Sequence, residues 1–222
     1  MNKKIALTAT SIIVAGALAV GSTLAYFTDK GTATNIVTMG DVRIQLTETK
    51  NGSPVESGLT FDNVMPKDVI AKDPTVTNIG DHDAYIRCKI NIGKGSENNV
   101  ALTDEQTRQL LSGLNIDKQY LENDPAKPAW ILNPDDGYYY YQRLLPKKTE
   151  KGTTSVNLFT QFAVPERWGN EMAGKTFTIG ITAEAIQADN FAPHTTGSVI
   201  DGWKYTDSSD IPVTSAPAKD SV

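Results

Sequence analysis

Along much of the chain, apolar and polar residues alternate with a period of two, the mark of strands with one buried face. Over residues 41–47, Val42, Ile44 and Leu46 share one face, with Arg43, Gln45 and Thr47 opposite. Over 84–92, Ala84, Ile86, Cys88, Ile90 and Ile92 point one way, and Tyr85, Arg87, Lys89 and Asn91 the other. Over 175–187, Phe177, Ile179, Ile181, Ala183 and Ala185 line one face, opposite Thr176, Thr178, Thr182 and Glu184. Residues 69–79 and 155–164 are further strand candidates. Pro74 interrupts the first, and because proline has no amide hydrogen it predicts an edge or a bulge there.

Turn-forming residues punctuate these runs at Asn51-Gly52-Ser53-Pro54, Asn133-Pro134-Asp135-Asp136-Gly137 and Pro146-Lys147-Lys148. Trp130-Ile131-Leu132 and the run Tyr138-Tyr139-Tyr140-Tyr141 flank the second of them. They predict a hairpin whose five-residue loop builds on a type I turn. One helix is expected after Thr103, with Gln106 completing a capping box. Leu110, Leu111 and Leu114 form its apolar stripe and Gly113 marks its end. Many short strands with polar turns predict an all-β fold, a sandwich of antiparallel strands with one or two short helices.

The first 25 residues break the pattern. Lys3 and Lys4 precede an apolar stretch densest over residues 12–20, followed by Gly21-Ser22-Thr23-Leu24-Ala25. This is the three-part layout of a secretory signal, with cleavage expected between Ala25 and Tyr26. The apolar core is shorter than the roughly 20 residues of a spanning helix, so the membrane is met only through the signal before cleavage. The expected division is a signal peptide at 1–25, an N-terminal strand segment at 26–39, a β-sandwich domain at 40–206 and a disordered tail at 207–222, where the sequence turns polar and non-periodic.

Charge and composition narrow the function classes. The net charge of −5 over 222 residues, with a pI near 5.1, argues against nucleic-acid binding, which needs clustered cations to displace phosphate counterions. A single cysteine, Cys88, excludes an intramolecular disulfide and a multi-cysteine zinc site.

The residues around the cleavage site carry a resemblance. Leu24-Ala25-Tyr26-Phe27-Thr28-Asp29 resembles the signal ends of proteins processed by a dedicated SipW-type signal peptidase. Val64-Met65-Pro66-Lys67-Asp68 is similar to a V-x-P-G-D turn in the same proteins, with Lys67 where Gly is usual. Thr75-Val76-Thr77-Asn78-Ile79-Gly80-Asp81 resembles their V-x-N-x-G motif. On these motifs, the chain resembles the TasA and camelysin group and the clostridial alternate signal-mediated exported proteins. The resemblance implies a jelly-roll-like sandwich, a SipW-type peptidase as processing partner, and self-assembly into extracellular fibres.

Camelysins also carry a metalloprotease label, so metal chemistry needs weighing. No H-E-x-x-H motif is present, and the two histidines, His82 and His194, lie in separate turn and loop segments. Asp81, Asp83, Asp135 and Asp136 offer oxygen ligands but fit no EF-hand spacing; turn aspartates also cap local backbone. Cys88, flanked on its face by Ile86 and Ile90, reads as a buried small hydrophobe. In the tyrosine run, residues 138 and 140 share one face and 139 and 141 the other, which leaves open an exposed aromatic pair. No catalytic residues, metal site or cofactor are expected.

The leading expectation is a secreted cell-surface or biofilm-matrix structural protein. Tyr26, Phe27, Ile36 and Val37 are candidate anchors of a donor strand that docks on the open sheet edge of a neighbouring copy. The alternatives are a monomeric extracellular module binding glycan or a host protein, and, third, a metalloprotease.

Overall fold

The computed structural model describes residues 42–50, 53–55, 64–94, 102–169, 172 and 177–206. Two four-stranded antiparallel sheets face each other. The first has the order β10 (Thr154–Asn157), β4 (Thr75–Asn78), β1 (Ile44–Lys50), β2 (Ser53–Val55). The second has the order β12 (Phe177–Gln187), β5 (Ala84–Lys94), β9 (Tyr138–Tyr141), β8 (Trp130–Asn133). Three two-stranded ribbons complete the strands: β3 (Val69–Ala71) with β11 (Gln161–Ala163), β6 (Tyr120–Leu121) with β7 (Asp124–Pro128), and β13 (Phe191–Thr196) with β14 (Val199–Tyr205). The core between the sheets takes Val42, Ile44 and Val76 from one side and Ile86, Cys88, Ile179, Ile181 and Ala183 from the other. The antiparallel all-β sandwich is therefore the fold of this chain.

The long run at 69–79 divides into β3 and β4, and that at 155–164 into β10 and β11. Asn157 lies opposite Thr75, and Gln161 opposite Ala71, so no residue is inserted between the two pairings. The Lys72 amide donates to Thr160 O (3.1 Å) and the Leu158 amide to Pro74 O (2.9 Å). One antiparallel pair thus bends around a corner in unbroken register. Pro74 marks neither an edge nor a bulge: β4 is interior to its sheet, and proline sits at the bend, where its carbonyl accepts from the Leu158 amide but it has no amide hydrogen to donate back.

Helix α1 (Asp104–Ser112) starts as expected. Thr103 Oγ1 accepts from the Gln106 amide (3.2 Å), and Gln106 Oε1 accepts from the Thr103 amide (3.0 Å). Gly113 ends the helix with φ −80°, so left-handed freedom is not its reason. Its carbonyl accepts from the Ala163 amide (2.9 Å), and a Cβ at this position would lie 2.3 Å from Ala163 O. A short 3-10 turn, Asn115–Lys118, follows.

The predicted β8–β9 hairpin is present, but Asn133 pairs with Tyr138, which leaves a four-residue loop instead of five. Gly137 closes it at φ +75°, with its amide donating to Asn133 O (2.9 Å).

The β13–β14 hairpin was not legible as strands. It lies over the outer face of the second sheet, where Phe191 and Trp203 pack with Tyr140 and Ile186, flanked by Tyr85, Tyr138, Ile200 and Tyr205. The face carrying Tyr85 and Arg87, which alternation marks as the polar one, is therefore covered. Arg87 is 1% exposed.

Candidate functional site

Beneath that hairpin lies the most elaborate polar cluster of the described residues. Arg87 on β5 donates from Nε (2.9 Å) and Nη2 (2.6 Å) to Glu184 Oε2 on β12, and from Nη1 to Tyr140 Oη (2.9 Å) on β9. Its guanidinium carbon stands 4.0 Å from the Tyr138 ring centroid and 4.3 Å from that of Trp203, within cation–π range. Tyr138 Oη donates to Glu184 Oε1 (2.9 Å) and Tyr140 Oη to Asp136 Oδ2 (2.6 Å). Burial alone would lower the guanidinium pKa, but Tyr140 and Glu184 outweigh it and hold it above its usual value. Burial and the Asp136 carboxylate push the Tyr140 phenol up, against the pull of Arg87. Every acceptor around this cation is taken by a donor of the same cluster. The arrangement locks the hairpin onto the sheet.

The tyrosine run is divided as the strand period requires, but neither pair stands exposed. Tyr138 and Tyr140 join this outer cluster, while Tyr139 and Tyr141 pack against the main core. Tyr139 also reaches a groove beside β8. Cys88 is fully buried, and burial drives its thiol far above the usual range, so it is an inert core side chain.

The histidines occupy two separate places. His82, in the loop between β4 and β5, is bonded through Nδ1 to Asp189 Oδ2 (2.6 Å). His194, within β13, is bonded through Nδ1 to Asp201 Oδ1 (2.7 Å) on β14. Desolvation acts to raise the Asp201 pKa, but hydrogen bonds from Thr196 and His194 prevail and hold it below the ordinary value.

The turn aspartates act on local backbone and side chains. Asp83 Oδ1 accepts from the Lys147 amide (2.8 Å), Asp136 Oδ1 accepts from the Tyr138 amide (2.9 Å), and Asp81 pairs at the surface with Arg43 (3.6 Å). The Asp135 amide is bonded to Asn133 Oδ1 (2.9 Å). Among the described residues, no three His, Cys, Asp or Glu side chains come together as a metal site would require.

Two motif positions acquire a physical reason. In the turn over residues 65–68, the Asp68 amide donates to Met65 O (3.1 Å), and Lys67 has φ +75°. With Pro66 before it, this is the arrangement of a type II turn, whose third position favours glycine. Asn78 is fully buried. Its Nδ2 donates to His82 O (2.9 Å) and Leu145 O (3.1 Å), and its Oδ1 accepts from the Gly80 amide (3.0 Å), which braces the loop into β5.

Two surface features remain. Strand β12 pairs along all eleven residues with β5 on one side, and among the described residues no strand pairs with its other edge. Beside β8, a groove of about 640 Å³ is lined by Leu111, Leu114, Tyr120, Trp130, Leu132 and Tyr139, among others. The cleavage pair Ala25 and Tyr26, the donor-strand anchors Tyr26, Phe27, Ile36 and Val37, and the 207–222 tail lie outside the described residues. No helix among the described residues is long and apolar enough to cross a membrane.

No curated protein matches the chain, and no solved structure does. A family model described as camelysin metallo-endopeptidase matches residues 1–126, which takes in the turn at Lys67, the Asn78 loop, β5 and α1. Since that match spans more than half of the 222 residues, the chain belongs to the camelysin family.

Proposed function

We propose that this chain is an exported structural protein of the cell surface or extracellular matrix, and that copies assemble by strand addition. The observation that carries this reading is the edge of β12. Among the described residues its ladder with β5 uses only one side of the strand, so alternate backbone N–H and C=O groups over residues 178–187 face away from β5. Natural sheets blunt such edges with lysine, proline or bulges. Residues 177–187 read FTIGITAEAIQ, with no lysine or proline and with unbroken register. An added strand would gain backbone hydrogen bonds along this edge, and head-to-tail addition propagates as a filament. Segment 26–39, freed by cleavage after Ala25 by a SipW-type peptidase, is the donor, with Tyr26, Phe27, Ile36 and Val37 as anchors. In support, β1, the first described strand after the proposed donor segment, lies against β12.

A monomeric binding module is the second reading, favoured by the aromatic groove beside β8. One experiment separates the two. Protein beginning at Tyr26 is compared with protein beginning at Gly40, by electron microscopy and sedimentation. Filaments from the first and folded, non-assembling protein from the second are expected. Equal assembly by both eliminates the donor segment. Monomers throughout favour the binding module.

A further inference from the structure

We infer that the two histidines of this chain pin the β13–β14 hairpin and do not ligate a catalytic metal, so that this member of a family described as metallo-endopeptidases holds no zinc peptidase centre. The inference is independent of the assembly reading. A catalytic zinc takes three protein ligands, usually with two or more imidazoles among them, and keeps a fourth position open beside a general base. The chain has two histidines, and its one thiol is buried in the core. Both imidazoles would therefore have to meet at one point.

They do not share a site. His82 stands before β5 and contacts Asp189 in the turn between β12 and β13; His194 contacts Asp201 across the hairpin. An imidazole bonded to a carboxylate is how many zinc ligands are oriented. Here each such pair lacks the further donors that would complete a coordination shell, since no three candidate ligands gather among the described residues.

Both pairs instead fall where the hairpin needs holding. The first ties its root to the loop entering β5. The second spans the irregularity between His194 and Thr195, where the register shifts. Side-chain amides hold the hairpin's flank. Gln142 donates to Ile200 O and accepts from Ile200 N (both 2.8 Å), and Asn133 donates to Asp201 O (2.8 Å). The hairpin can thus be set in place over Arg87 with no metal among its fasteners.

The test uses the whole secreted protein and its H82Q/H194Q variant. Each is equilibrated with zinc, dialysed and assayed for bound zinc, chelator-sensitive casein cleavage, and amide hydrogen exchange along residues 191–205. The expected result is no stoichiometric zinc and no chelator-sensitive cleavage in either protein, with faster exchange in β13 and β14 of the variant alone. Stoichiometric zinc that is lost with the histidines would overturn the inference, with or without cleavage. Unchanged exchange in the variant would overturn the pinning role.

Discussion

Single residues carry much of the specification in this molecule, and two of them can be tested against their neighbours. Lys67 holds a positive φ in the turn before β3, a conformation that costs a side-chain-bearing residue about 1–2 kcal/mol. Its side chain pairs with Glu166 at the surface (2.6 Å), where such contacts contribute little. Lys67→Gly relieves the strain but adds about 0.5–1 kcal/mol of chain entropy, so a net gain of roughly 0.5–1 kcal/mol is expected. Urea denaturation checks it, and a loss would mean that the lysine side chain holds the turn. Arg87 is the opposite case. Arg87→Ala leaves Glu184 in a covered site without its guanidinium partner, and the expected loss is about 3–5 kcal/mol. Replacing both charges, as in Arg87→Met with Glu184→Leu, removes the orphaned carboxylate and should recover part of that loss. A denaturant double-mutant cycle measures the coupling; a loss under about 1 kcal/mol for Arg87→Ala would place the pair with ordinary surface bridges.

At the scale of elements, the α1 terminus shows propensity and packing in conflict. Gly113 has an ordinary φ, and Gly→Ala at such a site usually stabilises by about 0.4–1 kcal/mol through the unfolded chain. Here the added Cβ would meet Ala163 O at 2.3 Å and Leu110 O at 3.2 Å. Both are backbone atoms, which cannot swing aside. Overpacking of this kind costs about 1–3 kcal/mol and should win, so Gly113→Ala is expected to lower the melting temperature. A rise would show that the helix end shifts freely away from β11. The glycine was visible in the sequence as a helix terminator. Its actual task, close approach of two backbones some fifty residues apart in the chain, depends on a neighbour that no local pattern names. The bent pair β3–β4 with β10–β11 teaches the same lesson. Each run looked like one strand, the first with a flaw at Pro74, and only pairing shows that the two bend together.

For the whole molecule, the aromatic cover of the second sheet should set its alkaline limit. Burial raises the phenol pKa of Tyr85, Tyr138 and Tyr140 on this face. A pKa raised on folding contributes stability that is complete below the unfolded value, about 10 for tyrosine, and is lost as pH rises beyond it. Stability should therefore fall above about pH 10, and ultraviolet titration should show phenolate from these residues appearing together with loss of near-ultraviolet dichroism. Phenolate that forms fully in protein still folded would contradict the burial of this face.

The sequence alone determined the strands with one apolar face, the capped helix, the tyrosine hairpin and the family motifs, because each is written in near neighbours at fixed spacing. It also determined that too few histidine and cysteine ligands exist for a rich metal centre. Only the tertiary structure decided which polar-looking faces are covered. Arg87 sits on the side of β5 that alternation assigns to water, and a hairpin from a hundred residues later closes over it. Alternation marks the more apolar face of a strand; it says nothing of whether a second layer, built from aromatic rings and a paired cation, will bury the other.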